Sequence, residues 1–113
     1  MKLLLIAGLL SALMIDQANA QVYYNYPEWA RLDDSARAIY IAGAFDSLIS
    51  IATPDTASAS RHYSKCAVSR KLTTEQLAKN VRTFVATRPV LQKGPVQGGL
   101  INYLVELCGA PPN

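Results

Sequence analysis

The chain has few of the side chains that bind metals or carry out acid–base catalysis. Its 113 residues include one histidine and two cysteines, and only 17% of them are charged. A zinc site needs three or four ligands, and a phosphate-binding loop or nucleophile elbow needs a glycine-containing motif that this sequence lacks. We therefore predict that the protein is not an enzyme and has no cofactor and no metal.

The chain also lacks an apolar run long enough to span a membrane, which takes roughly 20 residues. Its apolar run from Leu3 to Ile15 is shorter, follows the positive charge of Lys2, and precedes Ala18-Asn19-Ala20. This small-x-small pattern is the one that signal peptidases recognise. Residues 1–20 are thus predicted to be a signal peptide cleaved after Ala20. We expect a mature chain that begins at Gln21, works in the bacterial periplasm or the medium, and has no stable membrane insertion.

Cys66 and Cys108 are the only cysteines, so they have one possible intramolecular pairing. An exported chain folds in an oxidising compartment, which favours a disulfide. The alternative is a nucleophile pair of His62 with Cys66, but a disulfide-bonded cysteine cannot act as a thiolate. We predict a structural disulfide that stabilises the domain by roughly 4 kcal/mol on the chain-entropy model.

The sequence has a mildly basic net charge of +3. The tightest basic cluster comprises Arg61, His62, Lys65, Arg70 and Lys71. Its simplest interpretation is a solvated loop. The alternative is a surface for an anionic partner, such as a cell-wall polymer, an anionic lipid or an acidic protein. Export argues against nucleic acid.

The hydrophobic pattern predicts an all-α fold, a small bundle of three to four helices in a single domain over residues 31–113. The first helix should begin near Asp33 or Asp34 and end at about Ala52. The second should follow a capping box at Thr73 and Gln76 and end before Pro89, and the last should have Pro95 as its first residue and end at Cys108. Residues 53–70 are predicted to be a loop with at most a short helical turn.

Two residues interrupt the apolar pattern of the first predicted helix. Glycine inside a helix costs about 1 kcal/mol relative to alanine, so we expect Gly43 to allow another helix to approach closely. Asp46 lies among apolar residues, and a buried carboxylate needs a partner. We expect it to cap a neighbouring element or to pair with an arginine such as Arg82. A functional carboxylate is the alternative.

Residues 21–30 contain Tyr23, Tyr24, Tyr26 and Trp29. Pro27 disfavours helix at the residue before it, so we predict an extended N-terminal arm. Packing of these aromatic side chains onto the domain is the simpler interpretation. The alternative is that they remain available to a partner.

The order of these features resembles the Rap/Tai group of small exported immunity proteins. The resemblance rests on Tyr40-x-x-Gly43-x-x-Asp46, a cysteine in the following loop, the helix opening Leu72-Thr73-Thr74-Glu75-Gln76-Leu77, Arg88-Pro89, and a last apolar helix that ends at a cysteine. Such proteins protect bacteria against peptidoglycan-amidase effectors delivered by type VI secretion. The resemblance implies structural roles for Tyr40, Gly43, Asp46, Cys66 and Cys108.

The resemblance implies a periplasmic protein that binds and neutralises a cell-wall amidase. Tyrosine, tryptophan and arginine dominate binding hot spots, so the candidate partner-binding residues are those of the arm and the predicted loop: Tyr23, Tyr24, Tyr26, Trp29, Asp55, Arg61, His62 and Lys65. The alternatives are a small periplasmic acid or stress chaperone and a structural helical domain of the envelope. An enzyme would depend on Asp46 and His62. The oligomeric state is left open, with a homodimer as one option.

Overall fold

Six helices and no strand form the regular secondary structure of the computed structural model, which describes residues 23–50 and 53–113. The helices are α1 (Tyr26–Ala30), α2 (Asp34–Ser50), α3 (Ala57–Ser69), α4 (Thr74–Ala86), α5 (Pro89–Gln92) and α6 (Val96–Cys108). The predicted all-α class is confirmed, although the helices number six rather than three to four. Within these two ranges, no helix has the length and apolar character needed to cross a membrane. The predicted signal peptide and its cleavage site lie outside the described residues, as does the predicted end of the first helix at Ala52.

The core lies between α2, α4 and α6 and is closed at one side by α1. In α4 and α6 the buried side chains recur at intervals of three or four residues, so each helix presents one apolar face to the core. The buried apolar residues are Trp29, Ala38, Ile41, Ala44, Leu77, Ala78, Val81, Val85, Val96, Leu100 and Leu104. Trp29 is the largest of the fully buried side chains, so the N-terminal segment is part of the core.

The helix starts follow the sequence closely. The Asp33 carboxylate accepts a hydrogen bond of 2.8 Å from the Ala36 backbone N–H at the start of α2. At the start of α4, Thr73 Oγ1 accepts from the Gln76 backbone and Gln76 Oε1 accepts from the Thr73 backbone, which is the predicted capping box. Pro95 is the N-cap of α6 and not its first helical residue.

The disulfide joins α3 to the end of α6. Cys66 and Cys108 are bonded, and their Cα atoms are 5.8 Å apart. The next residue, Gly109, has φ 78° and ψ 166°, a region of backbone conformation that is essentially restricted to glycine. Gly109 thus ends α6 with a positive φ, although its ψ lies outside the left-handed helical region.

Two predicted irregular segments are helical. Residues 57–69 form α3, so Arg61, His62, Lys65 and Cys66 lie on a helix, and only Asp55 lies in the preceding turn. This segment is polar and has little apolar periodicity, which is why the sequence favours a loop. The predicted extended arm is also wrong over Tyr26–Ala30, because Pro27 lies in the first turn of α1, where a helix tolerates proline.

The close approach between helices occurs at Gly99, not at Gly43. A Cβ atom at Gly99 would lie 2.8 Å from Val85 Cγ2, so α4 and α6 contact each other through this glycine. At Gly43 the space within 4 Å of such an atom is empty, and the residue is exposed. The expectation for Gly43 is therefore wrong, since its backbone borders open surface on α2.

Alanine at these two glycines should change stability in opposite directions. We expect Gly43→Ala to stabilise the domain by about 1 kcal/mol through helix propensity alone. Gly99→Ala should destabilise it, because overpacking against the stiff Val85 side chain costs about 1–3 kcal/mol and outweighs the same propensity gain. Urea denaturation of both variants checks this prediction. A stabilised Gly99→Ala variant would contradict the close approach.

Lys71 ends α3 in an unusual backbone conformation. It has φ 52° and is the only non-glycine residue with positive φ in the described ranges. Its N–H donates to the Val68 carbonyl, and the Leu72 N–H donates to the Ala67 carbonyl. This pair of bonds is a Schellman motif, a helix ending that normally has glycine at this position. The chain therefore places lysine where an L-residue is disfavoured.

Lys71→Gly should stabilise the protein. A left-handed conformation costs an L-residue about 1–2 kcal/mol, and glycine removes most of that cost. We expect a gain of about 1 kcal/mol, which raises Tm by roughly 4–8 °C in a domain of this size. Lys71→Ala is the matched control, since it removes the same charge but keeps the Cβ atom. An equal gain in both variants would show that the charge, and not the backbone, is responsible.

Candidate protein-binding surface

The N-terminal segment packs onto the domain through Trp29 and Tyr26. Trp29 is fully buried, and its Nε1–H donates to the Arg37 carbonyl at 3.2 Å. The Tyr26 hydroxyl donates to the Arg82 carbonyl at 3.2 Å, and its ring contacts that of Trp29. Trp29 is therefore a core residue in this conformation, and its assignment as a partner-contacting side chain is wrong.

The residues just before α1 are fixed by backbone hydrogen bonds. The Val96 N–H donates to the Tyr24 carbonyl and the Tyr26 N–H donates to the Gly94 carbonyl, both at 3.0 Å. These bonds flank an isolated antiparallel bridge between Asn25 and Pro95. The first described residues therefore lie along the connection between α5 and α6, a pairing that the local sequence does not reveal.

Two tyrosines remain exposed on this fixed segment. Tyr23 is 56% exposed and Tyr24 is 37% exposed. The Tyr24 N–H donates to the Tyr40 hydroxyl at 3.2 Å, and the two rings make an edge-to-face contact with centroids 5.2 Å apart. We refer to Tyr23, Tyr24 and Tyr40 as the aromatic patch. In it, Tyr40 of the predicted family motif contacts Tyr24, and Tyr23 precedes Tyr24 in the chain.

The basic cluster of α3 divides into two parts. The His62 Nε2–H donates to the Gly109 carbonyl at 2.9 Å, and Arg70 donates to the Leu107 carbonyl at 3.1 Å. These cationic or polar side chains cover carbonyls at the C-terminal end of α6, where the helix dipole favours positive charge. Arg61 and Lys65 are exposed and border a shallow depression of about 320 Å³ that Ile49 also lines. Arg70 and Lys71, which follow α3, are exposed as well, so His62 is the one member of the cluster that is partly buried.

A groove of about 630 Å³ runs between α2 and α4. Its small side chains are Ala38, Ala42 and Ala78, and Ile39, which is 73% exposed, stands at its border. A neighbouring depression contains Gly43 and Asp46. The groove exists because alanine side chains leave space between two helices that are in contact along their length.

Asp46 is exposed, so the expectation of a buried carboxylate is wrong. The ion pairs found in the described ranges are Arg37–Asp34 and Arg88–Glu106, and the predicted pair with Arg82 is not among them. The apolar residues around Asp46 face the core from other sides of α2, which the linear sequence does not distinguish. In water, its charge needs no buried partner.

The described residues show little that could carry chemistry. Residues 23–50 and 53–113 contain no group of three His, Cys, Asp or Glu side chains placed to hold a metal ion. Asp46 lies beside Ala67 and Leu72, whereas His62 is hydrogen-bonded to Gly109. These two residues, on which an enzyme would depend, have no hydrogen bond to each other in the described structure.

Arg37 is a key residue that the sequence did not single out. It is only 8% exposed, and its guanidinium donates to the carbonyls of Ala30 and Leu32 and to the Asp34 carboxylate. A planar guanidinium can donate in several directions at once, so one side chain satisfies the end of α1 and the turn that follows. The sequence signal is weak, because an arginine three residues after an aspartate is common on exposed helices.

Arg37→Lys should therefore be destabilising despite keeping the charge. We expect a loss of about 1–3 kcal/mol, because the ammonium cannot reach all three acceptors and leaves a buried carbonyl unpaired. Arg82 is exposed and lines the groove between α2 and α4, as Arg37 does. Arg82→Lys is therefore the matched control and should change stability by less than about 0.5 kcal/mol. Urea midpoints measure both effects. Equal effects in the two variants would contradict the structural role assigned to the hydrogen bonds of the Arg37 guanidinium.

Comparison with known proteins finds no matching family model, no matching curated protein and no matching solved structure. The resemblance to the Rap/Tai group thus remains a prediction from the residues quoted above.

Proposed function

We propose that the chain is an exported protein-binding domain of the bacterial envelope. Its proposed partner is a peptidoglycan-amidase effector, which the domain neutralises by binding, as the proteins that it resembles do. The observation that supports a binding role most directly is the aromatic patch. Two exposed tyrosines lie on a segment whose backbone is fixed by Trp29, Gly94 and Val96.

The aromatic patch has the properties of a binding hot spot. Tyrosine offers a large contact area with few rotatable bonds, and it is enriched among the residues that dominate binding energy. Ordering a loose segment on binding would reduce affinity, whereas a segment that is already fixed avoids this cost. The hydrogen bonds of Tyr24 and Tyr26 to the α5–α6 connection supply this order before any partner arrives.

The predicted partner-binding residues lie in different environments and therefore have different proposed roles. Tyr23 and Tyr24 are assigned to the central contact. Arg61 and Lys65 form a separate exposed basic surface on α3, and exposed charges at the border of an interface mainly change association rates. Trp29 and His62 support the fold through their bonds to Arg37 and Gly109, Trp29 from the core and His62 from the surface of α3.

The test uses purified type VI amidase effectors and the chain from Gln21 to Asn113. We expect binding and inhibition of peptidoglycan cleavage by at least one effector. Tyr23→Ala with Tyr24→Ala should weaken Kd by at least about 30-fold, the value for one hot spot of ~2 kcal/mol. Arg61→Ala with Lys65→Ala is the matched control and should weaken Kd by less than about 10-fold. Calorimetric titration measures both.

Three results would contradict the proposal. Failure of the wild-type chain to inhibit any amidase would remove the proposed partner. Equal losses in the two double variants would remove the aromatic patch as the central contact. Suppression of aggregation of unrelated envelope proteins at low pH, with no amidase bound, would favour the chaperone alternative. Unchanged circular dichroism in both double variants shows that the domain remains folded.

A further inference from the structure

α3 contributes no apolar side chain to the buried core. The buried apolar residues belong to α1, α2, α4 and α6, and the one buried residue of α3 is Ser60. Tyr63 packs against the core but remains partly exposed. Because buried apolar area supplies most of the free energy of folding, α3 contributes little to the stability of the core.

Polar contacts hold α3 in place. The Ser60 hydroxyl lies 3.1 Å from the Leu48 carbonyl and 2.8 Å from that of Ile49, and so covers the end of α2. His62 and Arg70 bind carbonyls at the end of α6, as described above, and the Ser58 hydroxyl donates to the Pro112 carbonyl at 3.2 Å. The Ser60 bonds are partly buried and the others are exposed, and hydrogen bonds of this kind each add only about 1 kcal/mol net.

The disulfide is the one covalent contact between α3 and the rest of the fold, apart from the chain itself. Cys66 is on α3 and Cys108 is the last residue of α6, whose apolar face is in the core. While the bond is intact, α3 cannot move away from α6. Closing a loop across the 42-residue separation is worth roughly 4 kcal/mol on the chain-entropy model, which is more than any single polar contact of α3.

We propose that the Cys66–Cys108 disulfide is a redox latch for α3. Reduction releases α3 together with residues 109–113, while α1, α2, α4, α5 and α6 remain folded around the same core. This inference is independent of the proposed function, because it rests on how α3 is attached and on no partner. The disulfide then holds one movable helix in place, and the other helices stay folded without it.

The chemistry of release is thiol–disulfide exchange with a dithiol reductant. One thiolate of the reductant attacks a sulfur of the disulfide and forms a mixed disulfide, and the other cysteine leaves as a thiolate. The second thiol of the reductant then displaces the remaining cysteine and closes its own disulfide. Two electrons pass to the protein, which ends with two thiols. Both cysteine residues are partly exposed.

Hydrogen exchange read by mass spectrometry tests the proposal on the chain from Gln21 to Asn113, oxidised or reduced with dithiothreitol. We expect exchange over residues 57–69 to accelerate by at least about ten-fold on reduction. Residues 77–85 and 100–104 should keep their protection. The fluorescence of Trp29, the single tryptophan, should not change, because its environment lies in the retained core. Trypsin should cut first at Arg61 and Lys65.

A variant that lacks the disulfide distinguishes the loss of this bond from other effects of dithiothreitol. Cys66→Ser with Cys108→Ser should reproduce the exchange pattern of the reduced chain without dithiothreitol. Acceleration of exchange in all helices together, with a red shift of Trp29 emission, would overturn the proposal, since the disulfide would then support the whole domain. Unchanged exchange in α3 would also overturn it, because the polar contacts alone would then hold the helix.

Discussion

The burial of Trp29 is the constraint on which the arrangement of the N-terminal half depends. The indole is the largest fully buried side chain, and its N–H is satisfied by the carbonyl of Arg37. Arg37 in turn donates to the end of α1, so the two residues fix the turn that connects α1 to α2. Separate backbone hydrogen bonds, from Val96 to Tyr24 and from Tyr26 to Gly94, hold the segment that precedes α1. Because Trp29 and Arg37 are buried and hydrogen-bonded, they hold the short helix α1 in one conformation, which a helix of this length would not keep by itself.

Several helix ends are stabilised by side chains from other elements, which donate hydrogen bonds to the carbonyls there. Arg37 binds the end of α1, Ser60 the end of α2, and His62 with Arg70 the end of α6. The last carbonyls of a helix have no partner within it and need one from outside. In this small domain, many of its polar side chains therefore serve the fold, which reduces the number of charged residues available for binding.

The sequence predicted those features that depend on neighbouring residues. Asp33 and the Thr73–Gln76 capping box act within one turn of a helix. The disulfide was predictable because only two cysteines exist. The errors at Gly43 and Asp46 have a common cause, because each depends on which side of α2 faces the core. For α3 the apolar contacts are few, so periodicity gave no signal.

The sequence by itself determined the all-α class, the starts of α2 and α4, the end of α6 and the single disulfide. Helix caps act on neighbouring residues, and two cysteines allow only one intramolecular pairing. Only the tertiary structure decided that residues 57–69 are helical, that Gly99 and not Gly43 is the close contact, and that Trp29 is buried while Tyr23 and Tyr24 are exposed. The physical reason is that burial is a property of the assembled helices. Which aromatic side chain enters the core depends on residues distant in the chain, here Arg37, Gly94 and Val96.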